Sequence, residues 1–435
     1  MWMAEGCLRS SQTMELESIG AEYFDELVMR SFFQDLEIDV DGNVSYCKMH
    51  DLIHDFATFL GNNECLVVES NEINFTPSKT RHLSVMFSNK FHRIPHFIRN
   101  WESLQTLPED LTLLSHLTSL RTLDLSNNAL IKELPKEVEK LIHLRYLNLS
   151  STGVEELPET VTNLSNLQML KLQSCSKLRR LPNMIGKLVS LRHLEAVSSE
   201  LEELPETISN FSNLQTLKLN KCWKLRKLPN GIGKLVSLRH LEAEGTKLEE
   251  LPETIINLSN LQTLRLNWCK VLCRLPDEMG KMLSLRQLEA EYTKLEEVPE
   301  TVGNLSNLQT LKLNFCEKLR RLPNEMGKMV SLSHLEFESV SSLECFPRVI
   351  GKLRELETLS KFIVSEEGSN IGELKDLNNL RSYLVISNIK GGGKEAILKD
   401  KEYLWHLTLR FNDEAAKSVL ELLEPHPNLE KEDQV

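Results

Sequence analysis

The sequence predicts an α/β solenoid: a curved parallel sheet that gains one strand per repeat, with short helical or irregular return segments between strands. Leucines recur in steps of 23 or 24 residues. The leucines that mark these steps are Leu120, Leu144, Leu167, Leu191, Leu214, Leu238, Leu261, Leu285, Leu308, Leu332 and Leu356. Around them the chain reads L-x-x-L-x-x-L-x-L or a close variant, as at 164–172. A period of about 20–29 residues with this pattern is typical of a leucine-rich-repeat solenoid.

A single repeat of this kind buries too few side chains to offset the entropy of ordering its backbone. The repeats are therefore stable only when neighbouring coils stack and share backbone hydrogen bonds and side-chain contacts. A stacked array presents an extended surface, so binding is the leading expectation for function. No arrangement of a nucleophile with a base stands out in the sequence, and we expect neither an enzyme nor a metal site.

Residues 1–60 differ from the repeats and predict a small winged-helix-like helical unit. Apolar residues spaced for one face of an amphipathic helix are Tyr23, Phe24, Leu27 and Val28. Asp41-Gly42 separates two short segments, 36–40 and 44–48, which predicts a hairpin. A second helix is expected from about Met49 to Leu60.

Three segments follow this unit. Residues 61–105 are predicted to be a linker and an irregular first repeat, with a strand at 81–87. Regular repeats occupy 106–360, and each coil passes through a Leu-Pro or equivalent step that suits the first turn of a short helical return segment. Residues 361–435 contain degenerate repeats, and we expect a truncated end because another coil should begin there.

The repeats alternate in length, so the sequence unit is 47 residues. The residues that reveal this unit most directly are Cys175, Cys222, Cys269 and Cys316. Parallel strands lie about 4.8 Å apart, which places these thiols about 9–10 Å from one another. Disulfide-linked residues need Cα atoms within about 7 Å, so this series is expected to stay reduced and buried. Reduced cysteines favour a cytoplasmic location.

Composition narrows the classes of partner. The formal net charge is −12, which disfavours nucleic acid as a ligand. No apolar run approaches the roughly 18 residues of a membrane span. An extracellular receptor fragment is left open as an alternative, because Asn-Leu-Ser or Asn-Phe-Ser matches the glycosylation pattern at Asn163, Asn210, Asn257 and Asn304.

Charges of alternating sign occupy the position between the two inward-facing strand residues. The series is Lys171, Glu195, Lys218, Glu242, Arg265, Glu289, Lys312 and Glu336. Residues between inward-facing leucines point to the other side of the sheet, and adjacent strands are about 5 Å apart. The sequence therefore predicts a ladder of ion pairs along the concave floor, which would disfavour slipped stacking.

Aromatic residues cluster at one repeat position, two residues past the second inward-facing strand residue. There the series contains Lys221, Gly245, Trp268, Tyr292 and Phe315, whereas most other coils have serine. Clustered exposed aromatics suggest a contact surface. We predict that Lys221, Trp268, Tyr292 and Phe315 contribute to a partner-binding patch; the alternative is that the rings only stack on one another at the rim.

The segment Met49-His50-Asp51 precedes the repeats, and residues 19–27 and 30–35 read I-G-A-E-Y-F-D-E-L and R-S-F-F-Q-D. With the late repeat segments at 380–384 and 425–429, these motifs resemble the plant intracellular immune receptors that join a nucleotide-binding region to leucine-rich repeats, in the coiled-coil-type branch of disease resistance proteins.

The resemblance implies roles for the Met-His-Asp residues. In that family the histidine contacts the phosphate of ADP and helps to hold the receptor inactive. This implies a nucleotide-sensing role for His50, with Met49 beside it and Asp51 supporting the closed state. The phosphate loop, the magnesium-binding strand and the signalling coil of the family do not occur in this sequence, so the resemblance implies a fragment that holds no cofactor of its own, although the full-length family binds ADP or ATP.

The predicted function is recognition in plant defence. The repeats are expected to bind a protein: a pathogen effector, a guarded host protein or the nucleotide-binding domains of a receptor. The alternative is a generic leucine-rich-repeat scaffold in signalling without an immune role. Met49-His50-Asp51 favours the first, because generic scaffolds lack this motif.

Overall fold

The structure is a computed structural model. It describes residues 16–38, 44–53, 56, 65–68, 80–85, 117–366, 368–389, 398–411, 426 and 429–431. The chain divides into two compact units. The first unit holds residues 1–177 and 187–193, and the second holds 178–186 and 194–435.

The amino-terminal part has the predicted winged-helix-like order. Helix α1 spans Leu16–Met29, and strands β1 (Phe33–Ile38) and β2 (Val44–Met49) form an antiparallel hairpin. The ring of Phe24 on the helix stacks on that of Phe33 at 5.2 Å between centroids. The second helix begins later than predicted, because Met49 still pairs with Phe33 in the hairpin and helical structure starts at Asp51.

The repeats of the first unit form a parallel sheet with one strand per coil. Its strands are β3 (Cys65–Val68), β4 (His82–Val85), β5 (Thr122–Asp124), β6 (Tyr146–Asn148) and β7 (Met169–Lys171). The sequence predicts β4 but not β3. The reason is that β3 and β4 are closer in the chain than one repeat, so β3 does not continue the period that reveals the other strands.

The second unit continues the same pattern in its own strands. These are β9 (Thr216–Lys218), β10 (His240–Glu242), β11 (Thr263–Arg265), β12 (Gln287–Glu289), β13 (Thr310–Lys312), β14 (His334–Glu336) and β15 (Thr358–Leu359), all parallel and in register. Strand β8 (His193–Glu195) lies at the division between the units. Like residues of successive coils are hydrogen-bond neighbours, which places each repeat position in a column.

The degenerate repeats form a separate four-stranded sheet in the second unit. Its strands are β16 (Lys361–Ile363), β17 (Ser382–Ile389), β18 (Leu404–Phe411) and β19 (Glu430–Lys431). Strands β17 and β18 have eight residues each, whereas regular coils have three. The loss of the leucine period after 359 therefore accompanies a real change of architecture.

Short 3₁₀ helices return the chain between strands, as predicted. They are Lys136–Lys140, Glu159–Asn163, Ile185–Lys187, Glu206–Asn210, Asn230–Lys234, Glu253–Asn257, Met279–Lys281, Glu300–Asn304, Asn324–Lys328, Ile350–Lys352 and Ile371–Leu374. The five-residue ones follow a proline in extended conformation, as at Pro229 (φ −67°) before Asn230. Proline has its φ preset and needs no donor at a helix start, so it fixes where each return segment begins.

Neighbouring coils pack closely where the 3₁₀ helices return the chain. A Cβ added to Gly233 would lie 2.1 Å from the carbonyl oxygen of Thr254, and one added to Gly280 would lie 2.0 Å from that of Thr301. These distances are far inside a van der Waals contact, so glycine is required where neighbouring coils approach. The Gly-Lys steps at these positions serve stacking.

The buried cysteines explain the 47-residue unit. The thiol of Cys269 donates to the carbonyl oxygen of Ala243 at 3.2 Å, and the hydroxyl of Thr246 donates to the same oxygen at 2.8 Å. Sulfur and hydroxyl oxygen are 3.3 Å apart. The same arrangement recurs for the pairs Thr152–Cys175, Ser199–Cys222 and Thr293–Cys316. A hydroxyl from a shorter coil and a thiol from the longer coil after it therefore share one acceptor, so the two kinds of coil must alternate.

A buried lysine lies between the degenerate repeats. Lys401 is 1% exposed, and its ammonium donates to the carbonyl oxygen of Leu377 at 3.1 Å and to Oδ1 of Asn378 at 3.2 Å. Burial lowers the pKa of Lys401 from 10.5 to about 8, against the opposing effect of Asp400 and Asp376. The lysine thus bridges two successive coils at an energetic cost to its charged form.

We predict that Lys401 makes stability rise with pH in an alkaline window. Because the folded pKa lies below the unfolded one, the unfolded state binds more protons between pH 8 and 10.5, and the free energy of unfolding increases there. Relative to the Lys401→Met variant, the wild-type chain should gain about 1–2 kcal/mol between pH 8 and 9.5 in urea titrations, from about 1.4 kcal/mol per pKa unit. A wild-type-minus-variant difference that stays flat with pH would contradict this.

We also predict selective thiol reactivity. Burial raises the pKa of the Cys269 thiol, so little thiolate is present and access is blocked, whereas Cys273 is exposed. Iodoacetamide added to the native chain should label Cys273 at least about tenfold faster than Cys269, read by peptide mass spectrometry, and urea should abolish the difference. Comparable native labelling of both residues would show that the thiol is not held as described.

Candidate protein-interaction surface

A left-handed turn follows each regular strand. The residue two past the second inward-facing strand residue, here named the turn position, has φ between 52° and 65°. The residues at this position are Asn127, Ser151, Ser174, Ser198, Lys221, Gly245, Trp268, Tyr292, Phe315 and Ser339. Most of these turns add a backbone hydrogen bond to the next coil; the amide of Trp268, for example, donates to the carbonyl oxygen of Glu291 at 2.8 Å.

This backbone conformation is unfavourable for most of these residues. The left-handed conformation costs a residue with a side chain about 1–2 kcal/mol. Only glycine adopts this conformation freely, and asparagine and aspartate tolerate it. Bulky residues with positive φ are uncommon. Trp268, Tyr292 and Phe315 nevertheless occupy three consecutive turn positions, whereas the other turn positions hold serine, asparagine, lysine or glycine.

The three rings form a parallel stack. The centroids of Trp268 and Tyr292 are 3.7 Å apart at an interplanar angle of 10°, and those of Tyr292 and Phe315 are 4.3 Å apart at 8°. Such contacts contribute about 0.5–1.5 kcal/mol per pair beyond buried area. Trp268 remains 45% exposed and the other two are half-buried, so the rings both stack on one another and reach solvent.

A fourth aromatic residue, which the sequence analysis missed, lies against the turn position one coil before Trp268. An ideal Cβ on Gly245 would lie 3.3 Å from Cζ3 and 3.5 Å from Cη2 of Trp223, so the indole lies over the glycine. Trp223 is 53% exposed. The signal available in the sequence is the single glycine in the column, one coil before Trp268. We name Trp223, Trp268, Tyr292 and Phe315 the aromatic row.

Asparagines connect the coils beside this row. The side chain of Asn267 donates to Glu289 at 2.9 Å and accepts the backbone amide of Glu291 at 3.0 Å. Asn220 and Asn314 make the same two contacts in their coils. Each asparagine therefore holds both a carboxylate and the backbone of the next coil, which the sequence analysis did not anticipate.

In the second unit, members of the predicted charge ladder form three separate ion pairs. Each acid contacts the base of the preceding coil, in Lys218–Glu242 at 3.4 Å, Arg265–Glu289 at 3.7 Å and Lys312–Glu336 at 3.6 Å. Glu289 is only 7% exposed, so its carboxylate depends on these donors. The two remaining predicted members, Lys171 and Glu195, end strands β7 and β8 and are half-buried.

Further carboxylates lie directly beside the turn positions. Glu291 accepts a hydrogen bond from Asn314, and its pKa is raised mainly by burial, with Lys312 opposing and Glu289 and Glu336 adding to the rise. Glu338 is exposed. No basic side chain among the described residues forms an ion pair with Glu291 or Glu338.

Lysines follow the turn positions, whereas the carboxylates precede them: Lys247, Lys270 and Lys294 each come two residues after a turn position. The ammonium of Lys270 is 5.4 Å from the ring centroid of Trp268, which is the geometry of a cation–π contact. Lys221, the other predicted member of the patch, is exposed at its own turn position. Lys247 and Lys294 are exposed beyond the turns of their coils.

In the first unit, the Met-His-Asp residues form the junction between hairpin and helix. Met49 ends β2, and the amide of His50 donates to the carbonyl oxygen of Phe32 at 2.9 Å. The Nδ1 atom of His50 accepts the amide of Leu52 at 3.3 Å, and Asp51 pairs with Lys48 at 3.3 Å. Both contacts organise the start of the helix.

Neither a metal-binding cluster nor a membrane-spanning helix occurs among the described residues. No group of three or more His, Cys, Asp or Glu side chains there could hold a metal ion. In the same residues, no helix combines the length and the apolar character needed to cross a bilayer.

Comparisons with known proteins agree with this architecture. Residues 1–57 match the disease resistance protein winged helix domain, and residues 371–431 match the R13L1/DRL21 leucine-rich repeats. The leucine-rich repeat region family matches residues 108–225, 206–292 and 277–400, which together exceed half of the chain.

Similar curated proteins are plant disease resistance proteins. The chain is 39% identical over 149 residues to the putative disease resistance protein RGA1 of Solanum bulbocastanum, covering 34% of this chain and 13% of that protein. It is 31% identical over 183 residues to the disease resistance protein RPP8 of Arabidopsis thaliana, covering 37% of this chain and 19% of that one. The chain thus spans less than a fifth of the length of these relatives.

A solved structure supports the fold. A leucine-rich-repeat protein of Leptospira interrogans superposes with a TM-score of 0.57 at 23% identity, covering 81% of this chain and 90% of that one. At this level of identity, the likeness concerns the fold alone.

We predict opposite effects of two substitutions at turn positions. Gly245→Ala should lower the free energy of unfolding by about 1–2 kcal/mol, because alanine is strained at φ +65° and its Cβ would press against Trp223. Ser339→Gly, in the same conformation at φ 52°, should raise it by up to about 1 kcal/mol. Urea denaturation of both variants is the measurement, and effects of the same sign would contradict the account of the turn.

Proposed function

We propose that this chain, which belongs to the leucine-rich-repeat family of plant disease resistance proteins, is a protein-recognition scaffold of plant defence that acts in the cytoplasm without chemistry of its own. Its partner is a pathogen effector, a guarded host protein or the nucleotide-binding domains of a receptor. The observation that carries the proposal is the aromatic row: four large rings that reach solvent, three of them held at strained turn positions.

Energetics support a binding role for the row. Serine occupies four of the other turn positions between Ser151 and Ser339, so the fold does not need an aromatic residue there. The left-handed conformation costs about 1–2 kcal/mol for serine as well as for an aromatic residue, so this cost does not distinguish them. The two stacking contacts contribute about 0.5–1.5 kcal/mol each, yet all three rings keep part of their surface exposed. A role in contact with another protein accounts for this exposed aromatic surface.

Chemistry supports the same conclusion. Tryptophan and tyrosine supply large contact areas with few rotatable bonds, and they are enriched among residues that dominate binding energy. Trp223 and Trp268 have 53% and 45% of their surface available to a partner. The asparagine contacts and ion pairs beside the row hold the backbone beneath it, so a partner meets a preorganised surface.

For the amino-terminal unit we propose a narrower role. The Nδ1 atom of His50 accepts the amide of Leu52, so any contact with a ligand would be made through Nε2. We propose that His50 contacts the phosphate of ADP only when a phosphate-loop domain is present beside it.

The test compares two triple variants in partner capture from plant tissue challenged with a pathogen. Trp268→Ser, Tyr292→Ser and Phe315→Ser together remove three rings and install the residue most common at the turn position. We expect the amount of each specific partner captured by this variant to fall at least about tenfold. This corresponds to a loss of at least about 1.4 kcal/mol of binding free energy.

The matched control removes three apolar side chains that are more exposed than the three rings, also from coils of the second unit, with Val236→Ser, Leu283→Ser and Val330→Ser. This control should capture partners as the wild type does, and thermal unfolding of both variants should remain close to wild type. Equal capture by the row variant and the wild type would refute the proposed function.

A further inference from the structure

Acidic residues lie beside the aromatic row. Glu244, Glu291 and Glu338 each directly precede a turn position, and they occupy every second coil. Strands are about 4.8 Å apart, so successive carboxylates of this set are about 9.6 Å apart along the sheet. Asparagines take the same position in the coils between them.

Two of these carboxylates, Glu291 and Glu338, differ in partners from the acids on the strands. Glu242, Glu289 and Glu336 are each matched by a basic residue of the preceding coil. Glu291 has an amide partner, and neither Glu291 nor Glu338 is matched by a base among the described residues. Negative charge is therefore in excess on the sheet side of the row.

Aromatic rings beside carboxylates are suited to a guanidinium or ammonium group. The carboxylate accepts charge-assisted hydrogen bonds, while the ring takes the cation or the aliphatic stem of the side chain. Lys270 over Trp268 demonstrates that a ring of the row already accepts a cation. The lysines that follow the turn positions, Lys247, Lys270 and Lys294, repel further cations, which directs a basic ligand to the carboxylate side.

The spacing of the carboxylates matches one particular backbone conformation of a peptide ligand. A polyproline II helix has three residues per turn and rises about 3.1 Å per residue, so residues i and i+3 share a face about 9.3 Å apart. This nearly equals the two-coil distance of about 9.6 Å between the carboxylates. Aromatic surfaces are also the usual docking platforms for this conformation.

We propose that the aromatic row together with Glu244, Glu291 and Glu338 binds a basic segment of the partner protein, in polyproline II conformation, with arginine or lysine at every third residue. The segment lies across the coils on the sheet side of the row. Its cationic side chains reach the three carboxylates, and the residues between them pack on the rings. This inference rests on the proposed function and specifies the chemistry of the partner.

The test uses synthetic peptides and the full chain. The probe is a nine-residue peptide with the sequence (Arg-Pro-Pro)₃, and binding is followed by titration calorimetry and by quenching of tryptophan fluorescence. Two peptides serve as controls: one of the same composition with arginine at every second residue, and one with glutamate in place of arginine. We expect the probe to bind at least about fivefold more tightly than the first control and the glutamate peptide not to bind.

Variants of the chain locate the site. The double variant with Glu291→Gln and Glu338→Gln preserves side-chain size and the hydrogen bond from Asn314. It should weaken binding of the probe at least about tenfold. The triple serine variant of the row (Trp268, Tyr292 and Phe315) should weaken binding of the probe to a similar extent. The triple control variant (Val236, Leu283 and Val330) should bind the probe as the wild type does. Thermal unfolding of each variant shows that the chain remains folded.

The outcomes separate the two proposals. Binding that is indifferent to arginine spacing, or that survives both site variants, overturns the inference. If the probe fails to bind while the serine row variant still loses its partners in tissue, the surface recognises proteins but not through a basic segment. If that variant keeps its partners, the proposed function itself fails.

Discussion

Every structural feature of the repeats depends on the in-register stacking of one coil on the next. A three-residue strand has too few hydrogen bonds to persist alone, so the backbone of each coil is completed by its neighbour, as when the amide of Leu266 donates to Glu289 and that of Leu313 donates to Glu336. Steric contact enforces the same spacing, since Gly233 and Gly280 leave no room for a Cβ against the coil that follows. Leucines buried in successive coils then form a continuous core.

The two-coil unit shows how stacking selects side chains. At Ala243 one carbonyl oxygen receives a hydroxyl from its own coil and a thiol from the next, so neither polar group is buried without a partner. Asn267 serves the same purpose at the edge of the sheet by bonding both Glu289 and the backbone of Glu291. Each bond is modest, but each requires a particular residue type one coil away. Alternation of the two coil types is therefore a structural requirement, and it explains why the repeat is read most clearly over 47 residues.

The proposed binding surface is a consequence of the same geometry. Because the turn positions form a column, residues far apart in sequence become stacked neighbours, and aromatic side chains there build a continuous strip instead of isolated rings. Carboxylates and asparagines alternate in the adjacent column for the same reason. A linear array of this kind suits a linear ligand, since both present their contacts at a fixed interval. The strain at the turns is borne by a framework that neighbouring coils hold in place.

Periodicity alone determined much of this protein: the solenoid, the strand positions of the regular coils, the buried cysteines and the column that holds Trp268, Tyr292 and Phe315. These follow from which residues must face inward, and inward-facing positions recur locally in the chain. Tertiary structure decided the rest. The positive φ of the turns, Trp223 lying over Gly245, the carbonyl shared by Thr246 and Cys269, the strand at Cys65–Val68 and the burial of Lys401 depend on how one coil is placed against another. Such contacts join residues more than twenty positions apart, and their geometry is set by stacking distance and side-chain packing, which no local pattern specifies.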